Sequence, residues 1–350
     1  MTTKYSVRRV PAVDAEAEVL ELSRRRSGKA NRSVFHWGYL ANPVGPADCF
    51  LLDASSDGSS TVVGMVGVGP RRFEVGGKNV SAGLLGGFFV DKGHRTFFPA
   101  LMLQRAVLGW ARQNFDLVYG FPNTAAAPIM TKLGFRNLAR LERYVLVLRH
   151  APYIASRVGS RALGRALALP FDGVRRLVHP GISRGASRGL AFGRVRTLDQ
   201  RFDRLFRARA FSDVSMGQRD AKLLQWRFLE RPDEDTSIYA LSSREDGELR
   251  AYVVVRVHQQ LANVRDLLGV DLDSMAEALR LAAGAARRAG CTSLSFLCAA
   301  PPRLHERLSA LGFRVRPEPR HLIGHAGGAL TTHDPASLER WYLTEADEDQ

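Results

Sequence analysis

The order of apolar and polar residues divides the chain into two runs of elements that follow the same plan. In the first, residues 5–10 alternate as a strand does, and residues 13–26 carry apolar side chains at helical spacing. Residues 61–69 and 71–75 read as strands, and Gly76-Gly77 supplies a hairpin turn into 79–85. The strand continues through Phe88-Phe89-Val90, and Pro99 opens a helix where its missing N–H is no loss. Leu103, Val107 and Trp110 or Ala111 form the predicted buried stripe of that helix, with Gln104, Arg105 and Arg112 outside. Residues 117–121 read as a buried strand. A short helix closed by Gly134 follows, then a last strand over 144–148. In the second run, 238–241, 252–257 and 264–270 are strands, with Glu245-Asp246-Gly247 as a turn. Residues 274–289 form a helix, 294–297 a strand and 304–311 a short helix. The fold class is α/β, a meander followed by β-α-β crossovers in each half.

The two runs are related in sequence. Trp37-Gly-Tyr-Leu-Ala-Asn-Pro43 recurs as Trp226-Arg-Phe-Leu-Glu-Arg-Pro232, and Leu133-Gly-Phe-Arg136 as Leu311-Gly-Phe-Arg314. Val7-Arg8 is echoed by Val195-Arg196. Three matches in one order imply a duplication. The expected organisation is a first lobe over 1–150, a basic linker over 151–193, a second lobe over 194–325 and a tail over 326–350. Trp37 and Trp226 occur in both copies, which favours a packing role.

Composition is that of an ordinary globular protein of 350 residues, 45% hydrophobic and 24% charged, and the length alone favours two domains. Cys49, Cys291 and Cys298 have neither disulfide nor metal-ligand spacing. With no signal peptide at the start, they point to a reducing cytoplasm. No run of about 18 apolar residues exists to span a bilayer. The net charge of +15 suits an anionic partner, and it is concentrated. Residues 149–196 hold ten Arg and one acidic residue, Asp172. There Arg157, Arg161 and Arg165 lie at helical spacing beside Val158, Ala162 and Ala166. Such a helix either packs on the domains with its arginines in water or lies on an anionic membrane surface at the inner face. Nucleic acid is not expected, because no recognition motif accompanies the charge. The stretch 181–193 reads as a flexible connector and the acidic end 345–350 as a disordered tail.

The chemistry resides in residues 84–135. Val90-Asp-Lys-Gly-His-Arg95-Thr-Phe-Phe-Pro-Ala-Leu101, then Asn123, then Met130-Thr-Lys-Leu-Gly-Phe135 resemble the acyl-CoA-binding core of the GNAT N-acyltransferase superfamily. The duplicated pattern resembles tandem members of that superfamily, among them mycothiol synthase, Fem-type transferases and acetyltransferases of polysaccharide clusters. The resemblance implies two GNAT-like mixed-sheet lobes in tandem. It implies acetyl-CoA or another acyl-CoA as co-substrate, without a metal. Phe89 and Val90 would hold the thioester and pantetheine. His94, Arg95, Thr96, Phe97 and Phe98 would form the loop and helix start that receive the pyrophosphate, where helix N–H groups favour an anion. Asn123 would contact the cofactor from the next strand, although a turn or N-cap role explains it equally well. His94 also reads as a solvated loop residue.

Departures from the pattern matter too. Phe98 puts a ring where the family has small residues, and Met130 replaces a tyrosine that protonates the leaving thiolate; a thioether has no proton to give. Tyr119 reads as core, and neither Asp91 nor Glu74 stands out as the base. The second copy has no such loop and carries Leu308 at the tyrosine position, as a lobe that keeps the shape without the cofactor would. The expected activity is acyl transfer to an amine-bearing small molecule or glycan acceptor, in polysaccharide assembly by analogy. A non-catalytic scaffold of the same shape, or an aminoacyl-tRNA-dependent transferase, remains the alternative.

Overall fold

The computed structural model describes residues 3–56, 58–151, 154, 185–327 and 340–348. In the first half, β1 (Lys4–Pro11) leads into α1 (Ala12–Ser27), which buries Ala12, Ala15, Val19 and Leu22. Helix α1 ends at Gly28, whose φ of 71° lies in the left-handed region that glycine adopts freely. Next, α2 (Arg32–Phe35) runs into one π turn, His36–Leu40. Strands β2 (Asp48–Ser56), β3 (Ser59–Val75) and β4 (Lys78–Val90) form the meander. Helix α3 (Phe97–Asn114) crosses to β5 (Leu117–Gly120), and α4 (Ala127–Lys132) leads to β6 (Arg136–Val147).

The second half begins with β7 (Leu190–Val195), α5 (Gln200–Arg207), β8 (Met216–Gly217) and α6 (Ala221–Leu224), then a matching π turn, Gln225–Leu229. It continues with β9 (Thr236–Ser243), β10 (Leu249–His258), β11 (Leu261–Gly269) and α7 (Leu272–Arg288). Strand β12 (Ser293–Cys298), α8 (Pro302–Ala310) and β13 (Arg314–Ala326) complete it.

All strands join one mixed sheet in the order β1-β2-β3-β4-β5-β13-β6-β12-β11-β10-β9-β7, with β8 beside β3. The two halves exchange their last strands. Strand β13 pairs antiparallel with β5 of the first half, and β6 pairs antiparallel with β12 of the second. Backbone hydrogen bonds therefore run unbroken through the junction, and the lobes cannot part without opening the sheet.

The duplication is visible at the junction. Asn31 caps α2 at Val34 N–H and Asp220 caps α6 at Leu223 N–H, and each helix tightens into its π turn. The Trp37 and Trp226 rings stack with centroids 5.0 Å apart. Each indole N–H donates to the other's backbone carbonyl, at 2.7 and 2.9 Å. This reciprocal pair marks a local two-fold relation and meets the packing role expected from the repeat. Such a stack contributes about 0.5–1.5 kcal/mol beyond area burial.

Several expectations need correction. Residues 61–69 and 71–75 are one strand, β3. Strand β2, an apolar run around Cys49–Leu52 without alternation, is buried on both sides. The last strand of the first half starts at Arg136 rather than at residue 144, because β13 and β12 together pair most of its length. Gln104 is 2% exposed, not outside; Gln104, Leu108 and Ala111 form a second apolar-facing row on α3. Leu190–Gly193, at the end of the supposed connector, pair with β9. The basic helix proposed around Arg157–Arg165 lies outside the described residues. Among those that are described, no helix is long and apolar enough to cross a membrane.

The acidic end is the largest correction. Trp341 to Glu348 are buried, and Glu345–Asp347 form a 3-10 turn closed by a capping box from Thr344. Arginines of the second half hold it: the buried Arg219 pairs with Asp347 at 2.5 Å, and the partly exposed Arg320 and Arg265 pair with Glu348 at 2.6 Å and with Glu345.

Candidate functional site

The site grows from one irregularity in β4. Met65 pairs with Phe89 and Gly67 with Gly86, so two residues of β4, Gly87 and Phe88, oppose the single Val66 of β3. This is a bulge, and Gly87 at φ 62° is the left-handed residue such a bulge requires. The extra residue of such a bulge is left out of the regular pairing. Immediately before the bulge, β4 parts from its other neighbour. Parallel pairing with β5 covers only Ala82–Leu84 against Leu117–Tyr119. Beyond Leu84 and Tyr119 the two strands open into a gap.

Two clefts meet at this gap. One of about 290 Å³ is lined by Leu85, Gly86, Gly87 and Phe88 of β4, Gly120 to Asn123 after β5, Gln104 of α3, Ala126 and Met130 at α4, and Arg26 of α1. The other, about 210 Å³, is lined by Trp37, Gly38, Tyr39, Ala47, Gly67, Gly69, Arg71, Leu84, Gly86, Gly87 and Trp226. Leu85 packs with the α3 side of the sheet. Gly67, Gly69 and Arg71 alternate onto the other face of β3. The clefts thus open on opposite faces and share Gly86 and Gly87, where the sheet is interrupted.

Gln104 is the polar feature of the first cleft. It is 98% buried by area, and its side-chain oxygen has no hydrogen-bond partner among the described residues. A buried acceptor left this way costs about 1–3 kcal/mol unless something donates to it. In the second cleft the Tyr39 ring stacks on Phe35 at 4.8 Å, and its hydroxyl lies against Gly87: a Cβ added there would sit 2.2 Å from Oη. Among the described residues lining the two clefts there is no Asp, Glu or His. Tyr39 is the one that can both donate and accept a proton.

The residues singled out in the sequence are distributed as follows. Phe89 and Val90 have re-entered the ladder beside Met65 and Gly64, with the Arg26 guanidinium 4.6 Å from the Phe89 ring centre. Arg95 donates to the Val90 carbonyl at 3.3 Å. His94 Nδ1 is 3.0 Å from Tyr5 Oη. Thr96 occupies the N-cap of α3 without a side-chain cap bond, and Phe97 and Phe98 are exposed in its first turn. Lys132 sits over the Phe97 ring at 4.5 Å. Asn123 lines the first cleft, and its Oδ1 accepts from Ala125 and Ala126 N–H in the turn into α4. Met130 lines the same cleft. Tyr119 is fully buried and donates to the Asp347 carbonyl at 3.1 Å, a core role. Glu74 is paired with Arg209, and Asp91 with Arg25 at 3.3 Å.

Sequence reasoning missed Arg26, Gln104 and Tyr39. The Arg24-Arg25-Arg26 run reads as ordinary complement to a helix C-terminus. Tyr39 sits inside the repeated motif, where its partner Phe228 lacks the hydroxyl.

The second lobe has a matching gap. Parallel pairing of β11 with β12 stops at Val264 and Phe296. Here the chain's own end fills the opening. Leu343 bridges to Ala299, Tyr342 Oη donates to the Leu267 carbonyl, and Thr344 Oγ1 donates to Asp266 at 2.7 Å. Burial works against the Arg219 charge below, but Asp266 and Asp347 outweigh it and hold its pKa well above the ordinary value. The three cysteines are buried thiols; burial raises Cys49 to about 12, so it does not ionise near neutral pH. No group of three or more His, Cys, Asp or Glu among the described residues is placed to hold a metal.

No family model and no curated protein matches the chain in sequence. Solved structures do match in shape. A probable N-acyltransferase from Enterococcus faecalis superposes with a TM-score of 0.66 at 12% identity, covering 93% of this chain and 73% of the other. A tandem GNAT protein from the clavulanic acid biosynthesis pathway gives 0.53 at 12% identity, over 93% and 99%. The N-myristoyltransferase of Saccharomyces cerevisiae with bound myristoyl-CoA gives 0.56 at 10% identity, over 93% and 82%. The chain has the tandem GNAT N-acyltransferase fold. Both GNAT lobes are present, and among the described residues the first keeps its strand gap open while the second is plugged by its own C-terminus.

Proposed function

We propose that the protein is an acyl-CoA-dependent N-acyltransferase whose donor and acceptor meet at Gly86-Gly87 from opposite faces of the sheet. The observation that carries this is the open gap between β4 and β5, with a cleft on each side of the bulge. The cleft beneath α3 suits the pantetheine arm, for which the Gln104 oxygen supplies a buried acceptor to an amide N–H. Arg26 at its mouth, and the free first-turn N–H groups of α3, favour the phosphates of the donor. The second lobe then acts as a wall, its Trp226 closing the acceptor side.

The chemistry asked of the chain is modest. An amine in the Tyr39 cleft attacks the thioester carbon, the C–S bond breaks, and the nitrogen loses a proton as the amide forms. Backbone N–H groups at the Gly87-Phe88 bulge face the negative charge that develops on the thioester oxygen. This places the oxyanion contact just before Phe89 and Val90. Tyr39 Oη relays the proton between the amine and the departing sulfur, in place of the tyrosine that Met130 lacks.

Following thiol release from acyl-CoAs with a panel of amines tests this. Release depends on the amine, and Tyr39→Phe lowers kcat by about 10²-fold, the lower end of general acid–base contributions, with acyl-CoA affinity unchanged. A Tyr39→Phe variant as fast as wild type removes Tyr39 from the mechanism. Thiol release that no amine accelerates removes acyl transfer.

A further inference from the structure

The acceptor cleft does not end at Tyr39. Gly67, Gly69, Arg71 and Phe73 follow one another along the same face of β3, and Arg71 is a wall of two cavities. Beyond it lies a pocket of about 160 Å³ at the seam of the two lobes, bounded by Pro43 and Val44, Phe73 and Tyr119, the 217–223 segment, Ala346 and Asp347. Arg71, Arg219 and Lys222 line it with Asp220 and Asp347, whereas Arg72, next to Arg71 on β3, turns its side chain to the opposite face and offers its carbonyl to Gln218 N–H.

Both carboxylates are already bonded within the pocket wall, Asp347 to a cation and Asp220 to N–H donors. Asp347 is paired with Arg219, both 1% exposed, and Arg219 also faces Asp266. Asp220 accepts from Leu223 N–H at 2.7 Å and from the Gln218 amide at 2.6 Å. The Lys222 side chain has no hydrogen-bond or ion-pair partner among the described residues, and it is exposed. Arg71, 8% exposed, holds its guanidinium over the Trp226 ring at 4.9 Å and donates to the Pro70 carbonyl at 2.9 Å. Planar guanidinium groups in a partly desolvated pocket select phosphate oxygens, where several N–H donors act together.

We infer that the pocket at the lobe seam is an anion subsite, and that the acceptor is a phosphate-bearing amine whose phosphate is held by Arg71 and Lys222 while its amine reaches Tyr39 and Gly87. This rests on the acyl-transfer reading for the amine end only; the anion subsite stands on its own lining. A phosphomonoester and a diphosphate-linked amine share the chemistry, and the test separates them.

The test is calorimetric titration of the full chain with inorganic phosphate and with pyrophosphate, on wild type and on Lys222→Ala, an exposed position. Wild type binds at least one of the two anions saturably, and the variant binds tenfold or more weakly. Tighter phosphate points to a monoester, tighter pyrophosphate to a diphosphate. Acyl-CoA affinity, measured in parallel, stays the same in the variant. In thiol-release assays, glucosamine 6-phosphate is preferred over glucosamine by tenfold or more in kcat/KM, or UDP-glucosamine is, and the preference disappears in the variant. Absent or unchanged anion binding overturns the subsite. Acyl-CoA affinity that falls together with anion affinity assigns these cations to the donor and overturns the acceptor assignment. Anion binding intact without any acyl-CoA binding leaves the subsite standing and defeats the acyl-transfer reading instead.

Discussion

Replacing Arg219 by alanine is expected to cost about 3–5 kcal/mol, a large share of the roughly 5–15 kcal/mol that holds a typical domain folded. The guanidinium is 1% exposed and lies between Asp266, 0% exposed, and Asp347, 1% exposed. Removing it strands two carboxylates in the interior. Thr344 and Tyr252, which bond to Asp266 at 2.7 and 2.6 Å, cannot supply the missing charge. The same loss releases the chain end from the second lobe's gap, so protease sensitivity near residue 340 rises along with the fall in denaturation midpoint. Breaking an exposed pair such as Arg32–Glu16, with Arg32 80% exposed, changes little. An Arg219→Ala protein that melts like wild type and keeps its C-terminus protected contradicts the plugged second lobe.

Gln104→Leu is expected to move stability and binding in opposite directions. The substitution replaces a buried amide whose oxygen has no partner among the described residues by an apolar group of similar size. The unliganded fold is therefore unchanged or more stable. Acyl-CoA loses its hydrogen bond in the cleft and binds about tenfold more weakly, the equivalent of roughly 1.4 kcal/mol. Paired melting curves and titrations read both effects. A variant that is less stable yet binds as wild type does makes Gln104 a structural residue and not a ligand group.

The fold was legible where local signals agree with the final packing. Gly76 and Gly77, at φ 56° and 75°, make the hairpin that their identity announces. The α3 stripe through Leu103, Val107 and Ala111 is buried as its spacing requires. The duplication was legible because Trp37 and Trp226 must recur to form a reciprocal contact. What escaped depends on partners far along the chain. Glu345, Asp347 and Glu348 look solvated in sequence, and only Arg265, Arg219 and Arg320 make a buried acidic end stable. The strand exchange of β6 and β13 has no local signature at all. The site shows the same division. The motif from Val90 to Arg95 pointed to the end of β4 and the loop after it, while Gly86 and Gly87, where the two clefts meet, look like any flexible pair. Tyr39 and Arg26 reach the clefts from elements that precede the motif by about fifty residues or more.

Acyl-CoA is expected to occupy the cleft between β4 and β5. The most direct test is a thermal melting titration with acetyl-CoA and longer acyl-CoAs, on wild type and on Ala126→Trp, which fills that cleft. Wild type is expected to show saturable stabilisation, about 2.7 kcal/mol at a ligand concentration 100 times Kd, which is lost in a variant that still melts cooperatively. No stabilisation of wild type by any acyl-CoA, or the same stabilisation with the cleft filled, contradicts it.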